Sequence, residues 1–269
     1  MKVAALQMVS AASVDANLRS ARELVAQAAS AGAELAVLPE YFCLMGRKDT
    51  DKLDVREAFG SGAIQQCLSE AAREHRVWLV GGTLPLEAGD AQHVRNTSLV
   101  FGPDGERVAR YDKIHLFKFE NGREKYDESR VIEAGSAPQV FEVTSRAGEK
   151  WRVGMSVCYD LRFPELYRAL AADILLVPSA FTYVTGQAHW ELLLRARAVE
   201  NLAYVVAPAQ GGEHESGRRT WGHSMVVDPW GVVLAERAEA GAGVVIADVE
   251  HSRLAQVRSQ LPALEHRVL

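Results

Sequence analysis

Cysteine is scarce in this sequence: three in 269 residues, at positions 43, 67 and 158. An odd count with no CxxC pair cannot build a disulfide framework, which excludes a stapled secreted scaffold and points to a reducing, cytoplasmic setting. Basic excess is lacking too. Lys and Arg number 30 against 35 Asp and Glu, for a formal charge of −5, so no nucleic-acid partner is expected. No apolar run approaches the roughly 20 residues that span a bilayer, and the start MKVAALQMVS carries no signal-type apolar region, so no membrane is expected. There is no HExxH motif, no Cys/His cluster and no phosphate-cradling glycine loop, so neither a metal nor a cofactor is expected. A Pro/Gly/Ser-rich linker is also missing. The polar turn Thr144 to Lys150 is too short to separate independent units, and the expectation is one domain over residues 1–269.

What is present is a regular alternation of short apolar runs with helical periodicity. Lys2 to Met8 reads as a buried strand, and Asn17 to Ala31 as a helix with Leu18, Ala21, Leu24, Val25 and Ala28 on one face. Leu35 to Leu38 and Val77 to Val80 read as further strands around a helix from Ala63 to His75. A hairpin follows, Thr97–Phe101 and Glu106–Tyr111 about the turn Pro103-Asp104-Gly105. The order then recurs: strand Arg152–Val157, helix Pro164–Ala172, strand Ile174–Val177, helix Gln187–Asn201, strand Tyr204–Ala207. A hairpin opens at Ser224–Val227, with Pro229-Trp230-Gly231 as its turn. Two similar halves, each with helices covering one face of a sheet, predict a layered α/β sandwich. Two connections, Tyr41–Gly62 and Lys118–Pro138, are long enough to form the rim of a site.

Three ionisable residues sit where apolar segments end. Cys158 closes Val153–Val157 just ahead of Pro164, a good first residue for a helix. A thiol there is exposed to a helix dipole that favours thiolate, and the N–H groups beyond it can hold an oxyanion; alone, it could equally be a small buried hydrophobe. Glu40 follows Leu35-Ala-Val-Leu-Pro39. Desolvation would raise its pKa toward the range of a general base, whereas the bland alternative is a turn residue. Lys113, His115 and Phe117 would share one strand face, with Lys113 either paired inward with a carboxylate or guarding a sheet edge.

Taken together, Glu40 in LPEYF, Lys113 in DKIHLF and Cys158 in CYDLRFPE resemble the nitrilase superfamily of carbon–nitrogen hydrolases over almost the whole chain. The resemblance implies a four-layer α-β-β-α sandwich of two pseudo-symmetric halves that forms a homodimer or a higher homo-oligomer. It implies Cys158 as nucleophile, Glu40 as general base and Lys113 as oxyanion stabiliser, acting through a thioester intermediate on a small-molecule amide. Glu128, in Tyr126-Asp-Glu-Ser129, matches a second glutamate that orients Lys113 or the substrate, with Glu120 and Glu124 as lesser competitors.

The strings PSAF, TGQAHWELLLRARAVE and GHSMVVDPWG are similar to the deaminated glutathione amidase branch. The related omega-amidase branch, acting on 2-oxoglutaramate, is the alternative, and a catalytically silent partner-binding member is the alternative of another class. A 2-oxo-acid substrate calls for cationic or N–H donors, for which Arg47, Lys48, Arg123, Arg218 and Arg219 lie in suitable loops. Tyr159 adjoins the nucleophile. Arg162 either takes a substrate carboxylate or braces the turn with Glu165, the commoner fate. Phe181, Thr185, His189 and Trp190, in a loop entering a helix, are candidates for the pocket lining. A Cys–His hydrolase using His115, His189 or His223 has no supporting cysteine context. The ending His266–Leu269 departs from the Arg-Asp-Leu-Tyr-like tail common in relatives, so a different dimer interface is expected.

Overall fold

A computed structural model of the protein describes residues 1–122 and 124–268. The first half runs β1 (Lys2–Gln7), α1 (Val14–Ser30), β2 (Leu35–Val37), the single turn α2 (Asp51–Asp54), α3 (Ala63–His75) and β3 (Trp78–Val80). It continues through β4 (Leu84–Glu87), β5 (Val94–Phe101), β6 (Arg107–Asp112) and a small hairpin, β7 (Lys118–Glu120) with β8 (Lys125–Asp127). The second half runs β9 (Gln139–Thr144), β10 (Lys150–Met155), α4 (Pro164–Leu170), β11 (Ile174–Leu176), α5 (Tyr183–Asn201) and β12 (Tyr204–Ala207). A second small hairpin, β13 (Gly211–Glu213) with β14 (Arg219–Trp221), precedes β15 (Ser224–Val227), β16 (Val233–Arg237), β17 (Gly243–Asp248) and α6 (His251–Gln260).

Two large sheets result, with the same internal plan. One is ordered β17-β1-β2-β3-β5-β4, with β6 also on β5; the other is β16-β15-β12-β11-β10-β9. In each, three parallel strands (β1, β2, β3 or β10, β11, β12) continue into an antiparallel neighbour (β5 or β15). The alternation within β1 explains the layering. Val3 and Ala5 pack in a core with Trp151, Val153 and Val205 of the other sheet, while Ala4 and Leu6 pack with Leu24 of α1 and Leu68 of α3. Leu194 and Ala198 of α5 join the second sheet. The architecture is therefore the four-layer α-β-β-α sandwich.

The two halves also align at the ends of their second strands. Val37 and Leu176 are matched in register with Ala5 and Met155. The segments that follow, Leu38-Pro39-Glu40 and Val177-Pro178-Ser179, are thus counterparts, and only one of them carries a carboxylate.

Three expectations need correction. Lys113 to Phe117 is not a strand. The ladder stops at Asp112, because Lys113 bonds out to Asn96 and Gly135 and the His115 N–H is taken by the Asp160 carboxylate. Helix α5 begins at Tyr183 rather than Gln187, because Thr182 caps it by accepting from the Thr185 N–H at 3.4 Å. Thr185 and His189 are consequently helical, not in a loop. Finally, Leu84–Glu87 pairs with β5 as an unforeseen strand, Pro85 included.

Candidate active site

The carboxyl ends of β2 and β10 bring Glu40 and Cys158 to one cavity. Both turns use left-handed backbone at residues other than glycine: Tyr41 has φ 57° and Cys158 φ 49°. Such conformations cost of order 1–3 kcal/mol and persist where the surroundings dictate them. Around Cys158 those surroundings are plain. Its own N–H donates to the Pro178 carbonyl at 3.0 Å, and the Arg197 guanidinium, from α5, donates to the Leu161 carbonyl at 2.7 and 3.0 Å. Near Glu40, Gly82 (φ 47°) leaves no room for a side chain: a Cβ there would lie 2.0 Å from the Pro39 carbonyl oxygen.

Glu40 is 1% exposed and Lys113 is not exposed at all. Glu40 Oε1 accepts from Lys113 Nζ at 2.8 Å and from Asn96 Nδ2 at 3.0 Å, while Oε2 accepts from the Ala180 N–H at 3.0 Å. Lys113 Nζ donates equally to Glu128, at 2.8 and 3.0 Å. Glu128, on a 3₁₀ turn after β8, accepts in addition from the Tyr41 hydroxyl and the Phe117 N–H, each at 2.7 Å. A buried chain carboxylate–ammonium–carboxylate results. Burial works against the charge of Lys113, but Glu128 and Glu40 outweigh it and hold the ammonium above its ordinary pKa. Burial likewise disfavours the Glu128 anion, yet Lys113 and the hydrogen bonds from Phe117 and Tyr41 leave its pKa below the usual carboxylate value.

The thiol behaves otherwise than a helix-terminus argument suggests. Burial, and then the Glu40 carboxylate, push Cys158 well above the ordinary thiol range, and Lys113 offsets this only in part. Helix α4 starts six residues further on and is a short one, so its dipole does not decide the matter. Cys158 is therefore a thiol beside a carboxylate that can take its proton, not a standing thiolate.

Tyr159, Arg162, Phe181 and Thr185 line this cavity as expected, together with Phe117, Ala180, Thr182 and Arg218. Among the described residues Arg162 makes no ion pair with Glu165. Its guanidinium lies 5.9 Å from the Tyr159 ring centre and 5.6 Å from that of Phe181, and meets His189 Nδ1 at 3.3 Å. His189 itself does not line the cavity: it is exposed one helical turn beyond Thr185, outside Arg162, and borders a separate surface hollow with Trp190 and Trp221. Trp190 stands behind Phe181, ring centres 4.9 Å apart. His223 pairs with Glu236 at 2.6 Å, away from the thiol. Of the remaining candidates, Glu120 pairs with Lys125, Arg47 with Glu215, and Arg219 stacks on Tyr183; Arg123 lies outside the described residues.

The sequence reading missed several functional side chains. Asp160, fully buried, accepts from Val157 N–H (2.8 Å), Tyr111 hydroxyl (2.7 Å) and His115 N–H (3.0 Å), and so ties the nucleophile's turn to the Lys113 segment. Asn96 on Glu40, Tyr41 on Glu128 and Lys52 in an adjoining cavity were equally unforeseen. An acid two residues after the nucleophile was the available signal for Asp160. Among the described residues no group of three or more His, Cys, Asp or Glu is placed to hold a metal ion, and no helix is long and apolar enough to cross a membrane.

Comparison with known proteins assigns this arrangement. The carbon-nitrogen hydrolase family model matches residues 2–259. The chain belongs to that family. This hydrolase is 43% identical over 98% of its length to a Synechocystis protein named deaminated glutathione amidase, covering 97% of that relative. Its structure matches that of the Caenorhabditis elegans NitFhit protein with a TM-score of 0.89 at 38% identity, over 99% of this chain and 65% of that longer one. It also matches a glutamate-to-glutamine variant of the amidase from Nesterenkonia sp. AN1 (TM-score 0.81, 28% identity, 100% of this chain, 94% of that one). That variant carries the acetamide moiety of fluoroacetamide on its active-site cysteine. The hydrolase is thus an amide-cleaving enzyme of the nitrilase superfamily.

Proposed function

We propose that Cys158, Glu40 and Lys113 cleave the amide of a 2-oxo acid, and that the substrate is deaminated glutathione. The buried chain Glu40–Lys113–Glu128 beside a lone thiol is the observation that carries the chemistry. Glu40 accepts the thiol proton as Sγ bonds to the amide carbon. The developing oxyanion is met by the Lys113 ammonium and the Tyr159 N–H. Collapse breaks the C–N bond, with the proton passing from Glu40 to the departing nitrogen, and leaves a thioester on Cys158. A water that gives its proton to Glu40 then attacks the thioester, and the acid departs as the thiol is restored. Glu128 keeps Lys113 charged and aimed. No step calls on a cofactor.

Arg162, with no carboxylate partner among the described residues, is the group for the 2-oxo acid carboxylate, with Phe181 and Thr185 bounding the acyl chain. Full-length similarity to proteins named for deaminated glutathione supports that substrate over 2-oxoglutaramate. The intact nucleophile and its partners speak against a silent binding protein. We further take residues 1–269 to act as one domain, in a reducing cytoplasmic setting where all three free cysteines stay reduced. We take the working unit to be a homodimer joined through the apolar face that Leu192 and Val199 of α5 and the neighbouring Trp230 expose.

The decisive experiment compares hydrolysis of deaminated glutathione, 2-oxoglutaramate and an aliphatic nitrile, with mass spectrometry of the enzyme during turnover. Preference for deaminated glutathione and an acyl adduct on Cys158, absent from a folded Cys158→Ala variant, is the expected result. Comparable nitrile hydrolysis, or turnover without Cys158, would overturn the reading.

A further inference from the structure

A second cavity shares the wall formed by Phe117, Glu128 and Arg218 with the one that holds Cys158. It lies on the side of the general base. Arg218 donates to the Ala180 carbonyl at 3.2 Å, and the N–H of that same residue donates to Glu40. Beyond Ala180, among the described residues the Arg218 side chain meets Met45 Sδ at 3.9 Å and the face of Tyr126 at 5.2 Å from the ring centre. Its Nε is buried with no hydrogen-bond partner among the described residues.

A second cation points into the same space. Lys52, whose side chain is 15% exposed, lies 5.0 Å from the centre of the Tyr41 ring; it donates to the Asp49 carbonyl at 3.3 Å, and its nearest carboxylate is that of the exposed Asp49, at 3.7 Å. Burial depresses its pKa despite Asp49 and the more distant Glu128. The other acids on the cavity wall are engaged elsewhere, Glu128 by Lys113 and Asp127 by Lys118. A buried guanidinium N–H without an acceptor is costly unless an anion completes it, and a partly desolvated ammonium on the same wall adds to the pull on one.

We propose that this cavity is a subsite for the amine half of the substrate, in which Arg218 and Lys52 bind the terminal carboxylate of a peptide amine. The inference rests on the amidase reading above and deepens it. Glu40 hands its proton to the departing nitrogen, so that nitrogen sits on the Glu40 side of Cys158. A dipeptide extending from it reaches roughly 7 Å, and the shared wall of Phe117, Glu128 and Arg218 places the second cavity directly beside the first. With Arg162 holding the acyl carboxylate, the enzyme reads an anion at each end of a two-carboxylate amide. An amide of ammonia, such as 2-oxoglutaramate, offers only one.

The test gives wild type, Arg218→Met and Lys52→Met enzymes two substrates, 2-oxoglutaryl-cysteinylglycine and the same molecule ending in a carboxamide. The expected result is a kcat/KM ratio of acid to carboxamide of about tenfold in wild type, the scale of one lost charge-assisted hydrogen bond. That ratio should fall toward unity in the variants. Equal rates on the two by wild type, or a ratio unaltered in both variants, overturns the subsite. Cysteinylglycine and its carboxamide are also titrated calorimetrically into Cys158→Ala protein, with and without Arg218→Met, which reads the subsite without turnover. Equal binding of the two dipeptides, or binding of neither, overturns the subsite. A wild type that hydrolyses no 2-oxo-acid amide overturns the amidase reading instead.

Discussion

Placing an ammonium where water cannot reach it costs several kcal/mol before any partner is counted, and at Lys113 two carboxylates are needed to offset this. Glu128→Gln removes one of them and leaves Lys113 with Glu40 alone. The variant should lose roughly 3 kcal/mol of stability at neutral pH, the scale of a broken buried pair. The pH dependence has a definite sign. The folded pKa of Glu128 lies below its ordinary 4.5, so its stabilisation is fully present above that value and is lost as pH falls through the folded one. Urea unfolding of both proteins at a series of pH values should show the gap widest near neutrality and closing below pH 4.5. A gap independent of pH would refute the clamp. At this scale the sequence exposed Glu40 and Cys158, because each is a reactive group at the end of an apolar run. It hid Asn96, Asp160 and Lys52, since their partners are set by which strands lie side by side. Asn96 stands 56 residues from Glu40, and Asp160 49 from Tyr111.

Among elements, the segment between β6 and β7 and the turn after β10 are held together by one side chain. Asp160 accepts from both, so Asp160→Ala strands a buried hydroxyl and two backbone N–H groups at once. A loss of roughly 3–5 kcal/mol is expected, read from the urea midpoint, with acylation slowed because Lys113 and Cys158 lose their common anchor. A change within about 0.5 kcal/mol, as at an ordinary surface site, would assign the anchoring elsewhere. Elements with clear period and termini, such as α3 and β12, are legible in sequence down to their end residues. Those whose limits depend on side chains were not. Thr182 started α5 early in a stretch, Tyr183-Val-Thr-Gly186, that has little helical propensity, and the Asp160 carboxylate took the backbone that alternation had assigned to a strand.

For the molecule as a whole, repetition of strand, helix and hairpin was visible as two halves, and the register of β1–β2 against β10–β11 bears it out. What repetition concealed is the asymmetry: Glu40 and Ser179 are counterparts, and only one of them carries a carboxylate. The exposed Leu192, Val199 and Trp230, each more than 40% accessible, form the face assigned to the dimer. Sedimentation velocity should find a dimer for the wild type and a monomer for a Leu192→Asp/Trp230→Asp double variant; a monomeric wild type would sink that assignment. The same whole-molecule view bears on charge. The outer surface belongs to a protein of net charge −5, but Glu40, Lys113 and Glu128 form a chain of ion pairs whose side chains are only 1%, 0% and 14% exposed. In the proposed mechanism, moving a proton from Cys158 to Glu40 and on to the departing nitrogen passes one charge along beside that chain. Dissolved salt, which screens buried pairs far less than exposed ones, should therefore weaken the bond-breaking step little.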